Sequence, residues 1–369
     1  MKRLTYIILL AVILASCTKG KKTYDEIGES GLTTRTENMK QNLLAYEEQG
    51  AMLGQMYATA EGIGWQADSC HSDLNEVTGD RPTVIGYELA GIESGRKQNI
   101  DGIDTMLIRR TAIEFMHTQG LAVMLWTAPN PGDNALEKGS AANERLKAWT
   151  LKIARFLGSL HDDYGIKLPT LVYLYPSGTG KWYDRLSAKD YRKLYAQTVS
   201  WLRDEGETTN AVFGFSNAAV TGTAEDFMER CPEDEVCCMQ LMWISADADS
   251  YAHDLQSMAR QLSAYCSSAM KPFGIYTGLK GLGDDEEFWT KSLLPVEQCR
   301  LSYLMLGRNH GDFTQADFCG PYPGNKTTGN FMRLYNSNRI IMARKLNGLW
   351  LKRAVSYTHL RAHETCADL

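Results

Sequence analysis

Nine aromatic side chains fall at or just beyond the ends of short apolar runs: Trp65, Trp126, Tyr173, Tyr175, Trp182, Tyr183, Trp243, Tyr276 and Tyr322. Asn130, Arg308 and Asn309 fall among them. Aromatic faces stack on sugar rings, and amides and guanidinium groups bond hydroxyls, so the set could line a carbohydrate site. About half of such aromatics would instead pack between a sheet and its helices. Trp126 and Trp182 stand best placed for a platform.

Carboxylates supply the other candidate chemistry. Glu61, Glu88, Glu93, Asp184 and Asp284 lie near the same run ends, where a carboxyl could exchange a proton with a bound molecule. Surface charge or support of a neighbour is the commoner role for each. Glu88 is the first to test, because it falls near the end of the second run.

Other chemistries fit poorly. Ser177 has no G-x-S-x-G elbow around it. Gly178-Thr-Gly-Lys181 looks like part of a phosphate loop, but Tyr175 stands at the upstream glycine position and Trp182 follows the lysine. Without an HExxH, clustered His/Cys or EF-hand pattern, no metal or cofactor is expected.

Composition narrows the class. An apolar content of 44% with 22% charged residues fits a globular domain. A formal charge of -5, with no basic cluster interleaved with aromatics, argues against nucleic acid as a partner. Of nine cysteines, setting Cys17 and Cys366 aside leaves seven; an odd number without CxxC pairs argues against a disulfide framework. Cys237 and Cys238 read as small apolar residues on a buried strand.

Both ends stand apart from the domain. Lys2-Arg3, the apolar run Ile7–Leu14 and then Leu14-Ala-Ser-Cys17 read as a secretory signal ending in a lipobox. Residues 1–17 would then be the signal and Cys17 the lipidated residue. This implies an exported, membrane-anchored bacterial lipoprotein at the outer membrane or cell surface. Residues 18–40 are polar and aperiodic and read as a flexible tether. Residues 354–369 resemble the in-frame translation of a sequencing-library adapter and carry no functional reading.

Between these ends, residues 41–353 alternate short apolar runs with helical patterns eight times. The runs are Ala51–Met56, Val84–Leu89, Leu121–Trp126, Thr170–Tyr175, Ala211–Phe215, Val236–Trp243, Pro272–Tyr276 and Arg300–Leu306. Each has the length of a buried strand. Leu146, Trp149, Ile153, Phe156, Leu157 and Leu160 form one helical stripe. Ser187-Ala-Lys-Asp190 predicts a capped helix with Tyr191, Leu194, Tyr195 and Leu202 on its apolar face. Eight βα units in one domain predict an α/β (β/α)8 TIM barrel, with chemistry at the C-terminal ends of its strands.

In that order the run ends resemble glycoside hydrolase family 26, the β-mannanase family. Gly54-Gln55-Met56 with Glu61-Gly-Ile-Gly-Trp65 is similar to its opening "GHQ…YGxGW". Thr78–Pro82 and Gly86–Glu93 resemble its "GYPAVYGWDLGGIE" segment, and Leu125–Pro131 its "SWHxxNP". Lys271–Thr277 is similar to "KPAxTE", with Asp284–Pro295 like the helix that follows it. Leu301–Asn309 resembles "ISYVLVWRN", and Gly320–Gly324 the last loop. The match spans roughly Leu44 to Asn347.

The resemblance implies a retaining glycosidase, which needs two carboxyl groups about 5 Å apart. The family's acid/base lies in "RPxHExxGxWFWW" after strand four. Here Gly180-x-Trp182-Tyr183 sets the register, so Ser177 stands at the acid/base position, with Pro176 for the His and Tyr173 for the Arg. Thr277 stands at the nucleophile position after strand seven. Thr127 replaces a substrate-binding His, Gly307 the Trp of "WRN", and Trp243 falls at a strand-six aspartate.

The resemblance therefore implies a mannanase-like pseudoenzyme that binds a plant or microbial β-linked polysaccharide or oligosaccharide without retaining hydrolysis. The expected substrate-binding residues are Trp65, Trp126, Asn130, Tyr173, Trp182, Tyr183, Tyr276, Arg308 and Asn309. Two alternatives stay open: an active endo-β-mannanase or related β-glycanase with relocated carboxylates, Glu88 foremost, and a component that partners other glycan-uptake proteins.

Overall fold

The computed structural model describes residues 26–67, 71–177, 180–217, 228–232, 238–243 and 247–352. Cys17, Cys237 and the tail from 354 lie outside the described residues, as do the side chains of Cys238, Trp243 and Asp284.

Eight parallel strands close on themselves. They are β1 (Ala51–Met56), β2 (Val84–Glu88), β3 (Leu121–Trp126), β4 (Thr170–Leu174), β5 (Ala211–Asn217), β6 (Cys238–Trp243), β7 (Phe273–Gly278) and β8 (Tyr303–Leu306). Each pairs with the next, and Met52–Gln55 of β1 pair with Tyr303–Leu306 of β8, which completes the barrel expected from the alternating pattern. Strand β7 starts at Phe273, one residue after the expected Pro272, because proline has no N–H to give the ladder.

Two tyrosines fill the barrel centre. Tyr173 of β4 and Tyr303 of β8 reach across and join hydroxyls at 2.8 Å. Each lies against a glycine: a Cβ on Gly214 would come within 2.5 Å of the Tyr173 ring, and one on Gly274 within 2.0 Å of the Tyr303 ring. Those glycines make room for bulky rings inside a small barrel.

Helices form the outer layer. The helix Ala141–Gly158 is capped by Ser140 and buries Leu146, Ile153 and Leu157, half of the expected stripe. Ser187 caps the helix Ala188–Ser200 by accepting from Asp190 N, as its sequence predicts, and Tyr191, Leu194 and Tyr195 turn inward.

The first helix corrects one expectation. Residues 34–40 are not tether but the opening turns of Thr34–Glu47, capped by Thr33 and burying Met39, Leu43 and Tyr46. Its Asn42 amide donates to Leu349 O and Leu351 O, tying this helix to the far end of the domain. At its end, buried Glu47 accepts from Phe273 N and Ser302 Oγ at the entry of β7 and β8. Those bonds oppose the burial that raises its carboxyl above the ordinary range. Polar residues concealed the helix because its apolar positions are few and widely spaced. Among the described residues, no helix is long and apolar enough to cross a membrane.

Candidate functional site

The loops after β2, β3 and β4 enclose a cleft of ≈560 Å³ at the C-terminal end of the barrel. Thr127, Asn130 and Trp182 line it, together with Arg96, Lys181 and Arg185. A second hollow of ≈590 Å³ shares Asn130, Trp182 and Arg185, so the two share a wall.

Trp182 is half-buried and held on two sides. Its indole N–H donates to Ala128 O at 3.0 Å, and its ring meets Tyr175 and Tyr183 edge-on at 6.0 and 5.6 Å. A ring fixed in this way loses little freedom when a ligand stacks on it. Asn130 is exposed at the rim, where its side-chain oxygen accepts from Gly132 N.

Glu88 closes β2 beside this cleft and is 5% exposed. Its Oε1 accepts from Ala90 N at 2.8 Å and Thr127 N at 3.0 Å, and its Oε2 accepts from the Thr127 hydroxyl at 2.7 Å. Burial pushes its carboxyl up to about 7 against the pull of those bonds. The carboxylate therefore fastens the loop after β3 to the end of β2.

A polar hub that the sequence reading missed lies next to it. Tyr57, one residue past β1 and at φ 55°, donates to Asp101 Oδ2 at 2.6 Å. Its hydroxyl accepts from Asn99 Nδ2 at 2.8 Å and Glu88 N at 3.3 Å. Arg308 donates to Asp101 O, approaches Glu61 Oε1 at 3.4 Å, and lies over the Tyr57 ring at 5.9 Å. Burial drives Glu61 up to about 7, opposed by Arg308 and reinforced by Asp101. The sequence reading singled out Glu61, Glu88 and Arg308 but not Tyr57, Asn99 and Asp101, which join them.

Ser177 and Thr277, which the resemblance sets at the family's catalytic positions, carry no carboxyl. Ser177 follows β4 and is 7% exposed. Thr277 on β7 is 0% exposed, and its hydroxyl shares a 2.6 Å hydrogen bond with the Tyr251 hydroxyl. Neither can act as a general acid near neutral pH.

Several of the residues expected to contact sugar are buried. Trp126 is fully enclosed, with its indole directed at Glu93 Oε2, because it points from β3 into the core rather than along the cleft. Tyr173 fills the barrel centre, and Tyr183 is buried with its hydroxyl on Pro176 O. Tyr276 is buried as well, and burial drives its hydroxyl well above its ordinary range. Asn309 is buried and accepts from Cys319 N and Gly320 N while donating to Asp73 Oδ2. Trp65 is half-buried and donates to the same carboxylate, Asp73 Oδ1, at 2.7 Å. Trp65, Asp73 and Asn309 thus tie the hairpin after β1 to the loop after β8. Glu93 accepts from Gly91 N, and Asp184 from Lys181 N, so both support loops. Tyr322 packs edge-on against Phe318 at 5.0 Å.

Cys231, Cys266, Cys299 and Cys319 are buried, and the last three are free thiols. Among the described residues, no group of three or more His, Cys, Asp or Glu is placed to hold a metal ion.

No known protein-family model matches the sequence. A family 26 β-mannanase from Bacteroides ovatus superposes with a TM-score of 0.80 at 27% identity, covering 89% of this chain and 99% of that one. The family 26 protein GH26C from Muricauda sp. MAR_2010_75 superposes at 0.75 with 19% identity, covering 87% and 94%. A mannan endo-1,4-β-mannosidase from Bifidobacterium adolescentis is 22% identical over an alignment of 245 residues that covers 59% of this chain. The chain spans only 23% of that relative's length. With its closed eight-stranded barrel, this chain is similar over nearly its whole length to glycoside hydrolase family 26 β-mannanases of known structure.

Proposed function

We propose that this protein binds a β-linked glycan in the cleft beside Trp182 and does not hydrolyse it by the retaining route. The observation that carries this reading is Thr277. It stands at the nucleophile position, is 0% exposed and is bonded to Tyr251. Ser177 at the acid/base position leaves the pair without a carboxyl on either side. The relatives named as β-mannanases support a mannan-like or related β-glycan as the ligand class. The lipobox at Cys17 supports a surface-anchored protein that holds glycan for other uptake components. Affinity electrophoresis on mannan, glucomannan and mixed-linkage glucan tests this. Retardation of the wild type that Trp182→Ala relieves supports the reading, and absence of retardation on all three refutes it.

One observation favours a second reading. Glu88 and Glu61 are both pushed up to about 7, within the range of a general acid working at neutral pH. Against it, the bonds accepted by the Glu88 carboxyl hold the loops after β2 and β3. Release of reducing ends from any of the three glycans separates the two readings.

A further inference from the structure

The cleft carries a charge pattern that a neutral glycan does not use. Arg96 and Arg185 are exposed, Lys181 is half-buried, and all three line the same cleft from the loops after β2 and β4. None of the three forms an ion pair among the described residues. The one carboxylate in the lining, Glu93, is buried and turned inward onto Gly91 N and the Trp126 indole. The cleft is therefore cationic in a chain whose formal charge is -5. Ile100, 51% exposed, adds an apolar surface to the same lining as Trp182. Unpaired cations gathered in a concave, partly desolvated site attract an anion more strongly than the same cations spread over a convex surface.

Resting on the glycan-binding reading above, we propose that the cleft selects a carboxylate-bearing β-glycan. In this arrangement Trp182 and Ile100 supply faces for a sugar ring, while Arg96, Lys181 and Arg185 receive its uronate groups. Arg offers a carboxylate two parallel N–H donors, which favours this planar anion over a point charge.

The test uses matched ligands and the full chain. Calorimetry and affinity electrophoresis compare neutral glucomannan and mixed-linkage glucan with the same polymers oxidised at C6 to uronates, and with sulfated forms. The oxidised polymers should bind about tenfold more tightly than their neutral parents, and the difference should shrink several-fold as salt rises to about 0.5 M. Arg96→Gln, Lys181→Gln and Arg185→Gln should each lower the ratio of affinity for the oxidised polymer to affinity for its neutral parent several-fold, and a ratio unchanged in all three overturns the proposal. Equal, salt-insensitive affinity for neutral and oxidised forms overturns the proposal while leaving glycan binding intact. Tighter binding of the sulfated form than the oxidised form overturns the carboxylate assignment. Failure to bind any polymer overturns this proposal together with the reading on which it rests.

Discussion

The Thr277 and Tyr251 hydroxyls lie 2.6 Å apart in a fully buried pair. This bond joins β7 to the helix Ala248–Ser268, at the residue that the sequence resemblance sets against the family's nucleophile. Burial raises the Tyr251 hydroxyl beyond its ordinary range, partly offset by this bond. A threonine so enclosed serves the packing of the barrel rather than chemistry at its mouth.

Thr277→Val should accordingly cost about 1–3 kcal/mol, because it leaves the Tyr251 hydroxyl buried without that partner. Tyr251→Phe should cost a similar amount, and the double variant less than the sum of the two. Urea denaturation measures all three. Glycan affinity should stay at the wild-type level throughout.

The carboxyl of Glu88 should make stability fall as pH rises. Below its ordinary value near 4.5 both the folded and unfolded chains hold the proton, whereas between that value and about 7 only the folded chain does. Folding then takes up a proton, and stability declines through this window by up to about 1.4 kcal/mol per pH unit. Glu88→Gln keeps the oxygen that accepts from Ala90 N and Thr127 N, sets an amide donor against the Thr127 hydroxyl, and removes the titration. Thermal melts from pH 5 to 8 should show a smaller decline for the variant than for the wild type.

Trp126 and Trp182 should separate cleanly. Trp126→Ala empties a fully buried site and should cost about 3–5 kcal/mol of stability. Trp182→Ala should cost far less and weaken glycan binding about tenfold, or about 1.4 kcal/mol. Calorimetric binding alongside thermal melts distinguishes the two effects.

Tyr57→Phe keeps the ring and deletes the hub. Asp101 loses its 2.6 Å donor and Asn99 one of its acceptors. Amide exchange should speed up in residues 88–104, which carry the Arg96 side of the cleft, ahead of the strands.

Much of this fold was legible because strands buried on both faces read as unbroken apolar runs. Ala51–Met56 and Leu121–Trp126 carry the same bounds in the structure. Sites were harder to read, because an aromatic at a strand end points either into the core or into the cleft. Which way it points depends on strand twist and on neighbours distant in sequence. Trp126 and Thr127 are adjacent, yet one is enclosed and the other lines the cleft. Tyr173 shows the same limit, since its place in the barrel centre depends on Gly214 of the next strand and Tyr303 of the last. The cations of the cleft escaped notice because Arg96 and Lys181 are 85 positions apart in sequence and converge only when β2 and β4 are set in the barrel.

The most direct test is prolonged incubation of the full chain with mannan, glucomannan and mixed-linkage glucan, scoring new reducing ends and binding on the same samples. The account predicts binding that Trp182→Ala weakens, with no reducing ends above a protein-free control. Hydrolysis by the wild type that persists in Trp182→Ala and disappears in Glu88→Gln would contradict it.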